Sequence, residues 1–155
     1  MNSGTKKLLE DVRDGTVSVD DALAQIKQQP FMELGFAKPD LHRKARQGVA
    51  EVIYGAGKTA AQIVEIVRTM QDAGQGPVLI TRMDGEKAAL VGREIPLDYR
   101  AEARIGIVGD LPVPDGIGTV LVVTGGTSDI PVAEEAAVTA ETLGNRVTRM
   151  YDVGV

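Results

Sequence analysis

One stretch, Thr119 to Tyr151, leaves few architectures open. Thr119 to Val123 is a continuous, mostly β-branched run, the kind buried on both faces of a parallel sheet. A glycine-rich turn follows it, and then the segment Pro131 to Leu143, whose Val132, Ala136, Ala140 and Leu143 recur at helical spacing. Those four predict the buried face of a helix that stops at Gly144 and returns to a second strand, Arg146 to Tyr151. Strand, helix and strand in that order make a βαβ unit, the building block of doubly wound α/β folds. An open sheet of two parallel strands is marginal. The unit is therefore expected to be incomplete as written, leaning on the first domain, on a partner chain or on further sequence.

Upstream the texture changes. Leu8, Leu9 and Val12 predict a helix over Thr5 to Asp14, Gly15 ends it, and Ser18 caps a second helix over Val19 to Gln28. Pro30, Gly35 and Pro39 break the stretch that follows, and Val49 to Tyr54 reads as a strand ending at Gly55. From about Thr59, Ile63, Ile66, Val67 and Met70 mark a helix closed by Gly74 and Gly76. A strand at Pro77 to Thr81, a weaker helix at Gly85 to Arg93 and a strand at Ala103 to Val108 complete a small α+β domain. Leu111 to Gly118, with two prolines and two glycines, has the composition of a linker. The expected organisation is a helical hairpin and α+β domain over 1–110, a linker over 111–118, and the start of a flavodoxin- or Rossmann-like domain over 119–155.

Composition removes whole classes of function. Seventeen basic against 22 acidic side chains leave a net charge of −5, so no nucleic acid or anionic membrane partner is expected. With no tryptophan and 3% aromatic residues, stacking platforms for single strands are poorly supplied. No cysteine is present, which excludes disulfides, thiolate metal sites and cysteine nucleophiles within these residues. No apolar run reaches the roughly 18 residues a spanning helix needs, and the polar start, Met1 to Lys7, lacks a secretory core, so the cytoplasm is the expected location.

The strongest chemical signal is Thr124-Gly125-Gly126-Thr127-Ser128-Asp129, between a strand and a helix that Pro131 helps to start. Its glycines allow close backbone approach, its amides and hydroxyls can cradle a phosphate, and Asp129 suits sugar hydroxyls. The plainer reading is a helix cap by Ser128 or Asp129. Gly55-Ala56-Gly57-Lys58-Thr59 imitates an ATPase phosphate loop but has Val52 where that motif needs glycine. Lys58 and Thr59 remain possible anion contacts, against a solvated lysine beside a helix cap. His42, Arg43, Lys44 and Arg46 form a basic cluster able to hold a phosphate or carboxylate through arginine forks, or simply to be surface charge. No metal-ligand spacing is found, and Glu134 and Glu135 read as solvated helix surface.

Three blocks are recognisable: Gly35-Phe-Ala-Lys38 with 40–47; Glu51-Val-Ile-Tyr-Gly55 with Gly57-Lys-Thr59; and 124–129 with Pro131-Val-Ala-Glu-Glu135 and Tyr151-Asp-Val-Gly-Val155. Together they resemble the pyridinium-3,5-biscarboxylic acid mononucleotide synthases of nickel-pincer cofactor biosynthesis, the LarB family, over essentially the whole chain. The resemblance implies carboxylation of the pyridinium ring of nicotinic acid adenine dinucleotide, with cleavage of its phosphoanhydride to the dicarboxylated mononucleotide and AMP. That product begins the lactate racemase cofactor. Carbon dioxide or bicarbonate is the implied co-substrate, no tightly bound cofactor is expected, magnesium is possible, and a homo-oligomer is expected.

The family's second domain is similar to aminoimidazole ribonucleotide carboxylase, whose Gly-Ser-x-Ser-Asp turn binds ribose phosphate. Thr127, Ser128 and Asp129 match that turn, Gly125 and Gly126 supply its backbone, and Asp152 and Gly154 fall where further substrate contacts are placed. Two departures stand out: Ala56 replaces a family glutamate, and the family's cysteine, which adds to the pyridinium ring, would lie beyond Val155. The chain alone is therefore expected not to carboxylate. The alternatives are a non-catalytic nucleotide-binding or assembly module, and a purine-type carboxylase or mutase.

Overall fold

The computed structural model describes residues 3–28 and 52–154, and the chain divides into two compact units, Met1–Gly48 and Val49–Val155. In the first, α1 (Ser3–Arg13) and α2 (Val19–Gln28) pack on each other as the expected hairpin. The turn closes where Thr16 donates both its amide and its hydroxyl to the Asp11 carbonyl at 2.9 Å. Ser18 caps α2, its hydroxyl accepting the Asp21 amide at 3.0 Å.

The second unit holds β1 (Val52–Tyr54), α3 (Ala60–Asp72), β2 (Val78–Thr81), α4 (Gly85–Val91), β3 (Asp98–Arg100), β4 (Ile105–Val108), β5 (Thr119–Val123), a 3-10 turn (Thr127–Asp129), α5 (Ile130–Thr142) and β6 (Arg146–Met150). Helix α3 begins where expected, in a capping box. Thr59 accepts the Gln62 amide at 3.2 Å, and the Gln62 side chain accepts the Thr59 amide at 3.0 Å. The order β1-β2-β4-β3 makes a four-stranded sheet, parallel between β1 and β2 and antiparallel elsewhere. Strand β3 escapes the sequence pattern because Asp98-Tyr99-Arg100 is a short polar edge.

Every residue of β4 is buried. Leu79, Ala103, Ile105 and Ile107 form one core with Val138 of α5, so that helix lies against the four-stranded sheet. It also packs on β5 and β6, which pair in parallel from Thr119↔Arg146 to Val123↔Met150. This is the βαβ unit expected, and the chain is α/β with a parallel-strand sheet.

Two burial expectations are corrected. Strand β5, expected to be covered on both faces, is largely exposed, because β6 pairs with one edge and α5 covers one face. Helix α5 buries Ala133, Ala137, Val138 and Thr142, leaving the expected stripe outward, with Val132 70% exposed and Leu143 also exposed. Apolar residues stand on several faces of this helix, so its periodicity does not choose the buried one.

Candidate functional site

Parallel pairing in register places the carboxyl ends of β5 and β6 side by side, and ligands of open α/β sheets bind at such ends. The loop 124–129 leaves β5 there, and 151–154 leaves β6. Thr124 ties them together. Its amide donates to the Met150 carbonyl at 3.1 Å, its hydroxyl accepts the Asp152 amide at 3.1 Å, and its carbonyl accepts the Val153 amide at 3.2 Å. The Gly154 amide then donates to the Gly125 carbonyl at 3.0 Å. Thr124 is buried, so its hydroxyl serves the junction of the loops. Asp152 adopts φ +56°, a left-handed conformation that aspartate tolerates better than most residues and that accumulates at functional sites.

Gly125 and Gly126 are half-buried, while Thr127, Ser128 and Asp129 are exposed. The turn is closed by the Asp129 amide donating to the Gly126 carbonyl at 3.3 Å. The Ile130 amide donates to the Thr127 carbonyl and Pro131 has no N–H, so any amides offered to a ligand are those of the loop ahead of Asp129, not the first of α5. Neither the 3-10 turn nor α5 has a side-chain cap, so the Asp129 carboxylate makes no capping bond. The plainer reading of that aspartate, a helix cap, is not realised.

Behind the loops stands a polar cluster that sequence reasoning missed, since Glu134 and Glu135 are ion-paired instead of merely solvated. Glu134 accepts the Arg149 Nε at 2.9 Å and the Tyr151 hydroxyl at 2.8 Å. Arg149 also forks onto Glu141 at 2.6 and 3.0 Å. Glu135 accepts Arg82 at 3.1 Å. The Arg149 hydrogen bonds hold the Glu141 carboxyl below its usual range, and the Glu141 partner raises the guanidinium. Burial first, then the bond to Glu134, pushes the Tyr151 phenol up. A signal was available in the spacing of Glu134 and Glu141, two turns apart on one helix face.

The other expected anion contacts lie elsewhere. The Lys58 ammonium donates to the Tyr54 carbonyl at 3.1 Å, and Thr59 is engaged in the capping box. Lys87 reaches the same turn, donating to the Gly55 carbonyl at 2.8 Å. No hydrogen bond joins Lys58 or Thr59 to the loops at β5 and β6 among the described residues. His42, Arg43, Lys44 and Arg46 fall outside those residues. Among the described residues, no group of three or more His, Asp or Glu side chains could hold a metal ion, and no helix is long and apolar enough to cross a membrane.

Comparison with known proteins meets this geometry from the other end of the chain. Residues 31–110, which include β1 to β4, match the LarB/PurE-like N-terminal domain. An uncharacterized protein of Methanocaldococcus jannaschii is 34% identical over 164 residues, an alignment that takes in all of this chain and 63% of the relative. That alignment therefore includes the loops at β5 and β6, which lie downstream of the domain match. The domain match covers half of the chain and carries the assignment: the chain belongs to the LarB family.

Proposed function

We propose that the loops 124–129 and 152–154 bind the ribose phosphate of a pyridinium mononucleotide unit, within a carboxylase-type enzyme acting on nicotinic acid adenine dinucleotide. LarB membership supplies the carboxylase frame. The observation that carries the reading is the Asp129 carboxylate, exposed and uncapped at the mouth of two parallel strands. Loop amides and the hydroxyls of Thr127 and Ser128 would meet the phosphate, and Asp129 the ribose hydroxyls. Asp152, its amide held by the Thr124 hydroxyl, stands in the loop that leaves β6 at the same end of the sheet.

Carboxylation asks for more. An electron-poor pyridinium carbon attacks carbon dioxide only after a nucleophile adds to the ring and makes it an enamine. These 155 residues contain no thiol to do so. Binding without carboxylation is the expected behaviour of this chain. Calorimetry with nicotinic acid adenine dinucleotide, its amide counterpart and AMP tests the assignment: selective uptake of the acid dinucleotide supports it, and AMP binding alone favours a non-catalytic nucleotide module. Carboxylation of the acid dinucleotide by these residues would refute the need for the thiol.

A further inference from the structure

We infer that Glu134, Arg149 and Tyr151 are positioning residues that set where Asp129 stands relative to the 152–154 loop, an inference that rests on the reading of the two loops as the nucleotide site. Asp129 immediately precedes α5, and Asp152 immediately follows Tyr151 at the end of β6. The bases of the two loops are tied by the bonds at Thr124 and Gly125, but where Asp129, at the far end of its loop, stands relative to Asp152 is set by where α5 lies along β6. Apolar packing alone leaves that placement soft, because α5 is apolar on several faces and β5 is poorly covered.

The polar cluster removes the freedom. Glu134 and Glu141 are seven residues apart, a rise of about 10 Å along the helix. One guanidinium holds both, through Nε to Glu134 and through its two terminal nitrogens to Glu141. Sliding α5 in either direction breaks one of these bonds. Tyr151, two residues further on and just past the end of β6, binds the same Glu134 oxygen and opposes rotation. The side chains of Arg149, Glu134 and Glu141 are only 20–29% exposed, which weakens screening by solvent. Binding geometry has a tolerance of about 0.5 Å, so a helix held in one place along its strand is what a two-loop site requires.

The test uses the 155-residue chain with Glu134→Ala, Tyr151→Phe and Glu134→Gln. Amide exchange at Asp152, Val153 and Gly154 reports the junction directly, with Leu79 and Ile107 as references in the four-stranded sheet. Alanine and phenylalanine should speed exchange at the three junction amides by about tenfold with the references unchanged, and weaken binding of nicotinic acid adenine dinucleotide by about tenfold. Glutamine keeps an acceptor for the tyrosine hydroxyl and should restore most of the protection. Unchanged junction amides, or equal acceleration of junction and references, would overturn the positioning role. If Asp129→Ala leaves affinity for nicotinic acid adenine dinucleotide intact while the junction amides respond as expected, the nucleotide reading fails and the clamp stands as a structural feature only. If Asp129→Ala abolishes binding while Glu134→Ala changes nothing, the reverse holds.

Discussion

Strands β4 and β5 are written in almost the same alphabet, Ile-Gly-Ile-Val against Thr-Val-Leu-Val-Val, yet they meet opposite surroundings. Ile105, Ile107 and Val108 are at most 2% exposed, whereas Val120, Leu121 and Val123 are 39%, 55% and 48% exposed. The difference lies in their neighbours. Strand β4 has β2 on one edge and β3 on the other, and its own residues join the core that includes Val138. Strand β5 has β6 on one edge and α5 on one face. An apolar β-branched run states what a strand tolerates; the number of covered faces and paired edges decides what it gets.

The comparison breaks most visibly under truncation. Ile105→Ala should cost about 2–5 kcal/mol, because it opens a cavity among Leu79, Ile107 and Val138. Leu121→Ala should cost under about 0.5 kcal/mol, since its side chain is more than half in solvent. Urea unfolding of both variants checks the pair, and equal losses would mean that β5 is as buried in solution as β4. Next in size is Gly55→Ala. A Cβ there would sit 2.7 Å from the Thr81 carbonyl oxygen, which accepts the Gly55 amide at 2.8 Å. Since backbone must move to admit it, the expected loss is about 1–3 kcal/mol, measured the same way.

What could be read in advance follows the same division between local and non-local causes. Helices α3 and α5 and the strand–turn–helix–strand order were legible because glycines and caps mark their ends within a few residues. The loop 124–129 was legible for the same reason, since a glycine pair between a strand and Pro131 is a local signal. Strand β3 was not, because Asp98-Tyr99-Arg100 becomes a strand only by pairing with 105–107. The buried face of α5 was not, because Val132, Ala133, Ala136, Ala137, Val138 and Ala140 leave several faces equally apolar. Arg149 joins residues eight and fifteen positions earlier, a contact decided by how a helix lies on a strand.

Helix starts offer a second contrast, of smaller size. Asp84 accepts the Lys87 amide at 2.8 Å at the start of α4, while Asp129 at the start of α5 accepts nothing from its helix. Asp84→Ala should therefore cost about 1 kcal/mol of stability and leave nucleotide affinity alone. Asp129→Ala should do the opposite, leaving thermal unfolding within about 0.5 kcal/mol of the parent and removing binding of nicotinic acid adenine dinucleotide in calorimetry. A destabilised Asp129→Ala with normal affinity would return that aspartate to a capping role.

The smallest effect separates the two surfaces of α5, one apolar against Leu79, Ile105 and Ile107, the other polar against Arg149. Hydrogen bonding from Arg149 depresses the Glu141 carboxyl in the folded chain, so the folded state binds fewer protons than the unfolded state around the ordinary glutamate value of about 4.3. The resulting stabilisation is complete above that value and is lost as pH falls through the lower, folded one. Glu141→Gln removes the titrating group. Unfolding midpoints followed downward from neutral pH should show the parent ahead of the variant by under about 1 kcal/mol, the gap closing as the pH drops below about 4. A gap that widens in acid would mean that the carboxylate opposes folding. Because the apolar surface has no group to titrate, acid should loosen α5 from β6 before it loosens α5 from the four-stranded sheet, and exchange at the Asp152–Gly154 amides should rise before exchange at Ile107.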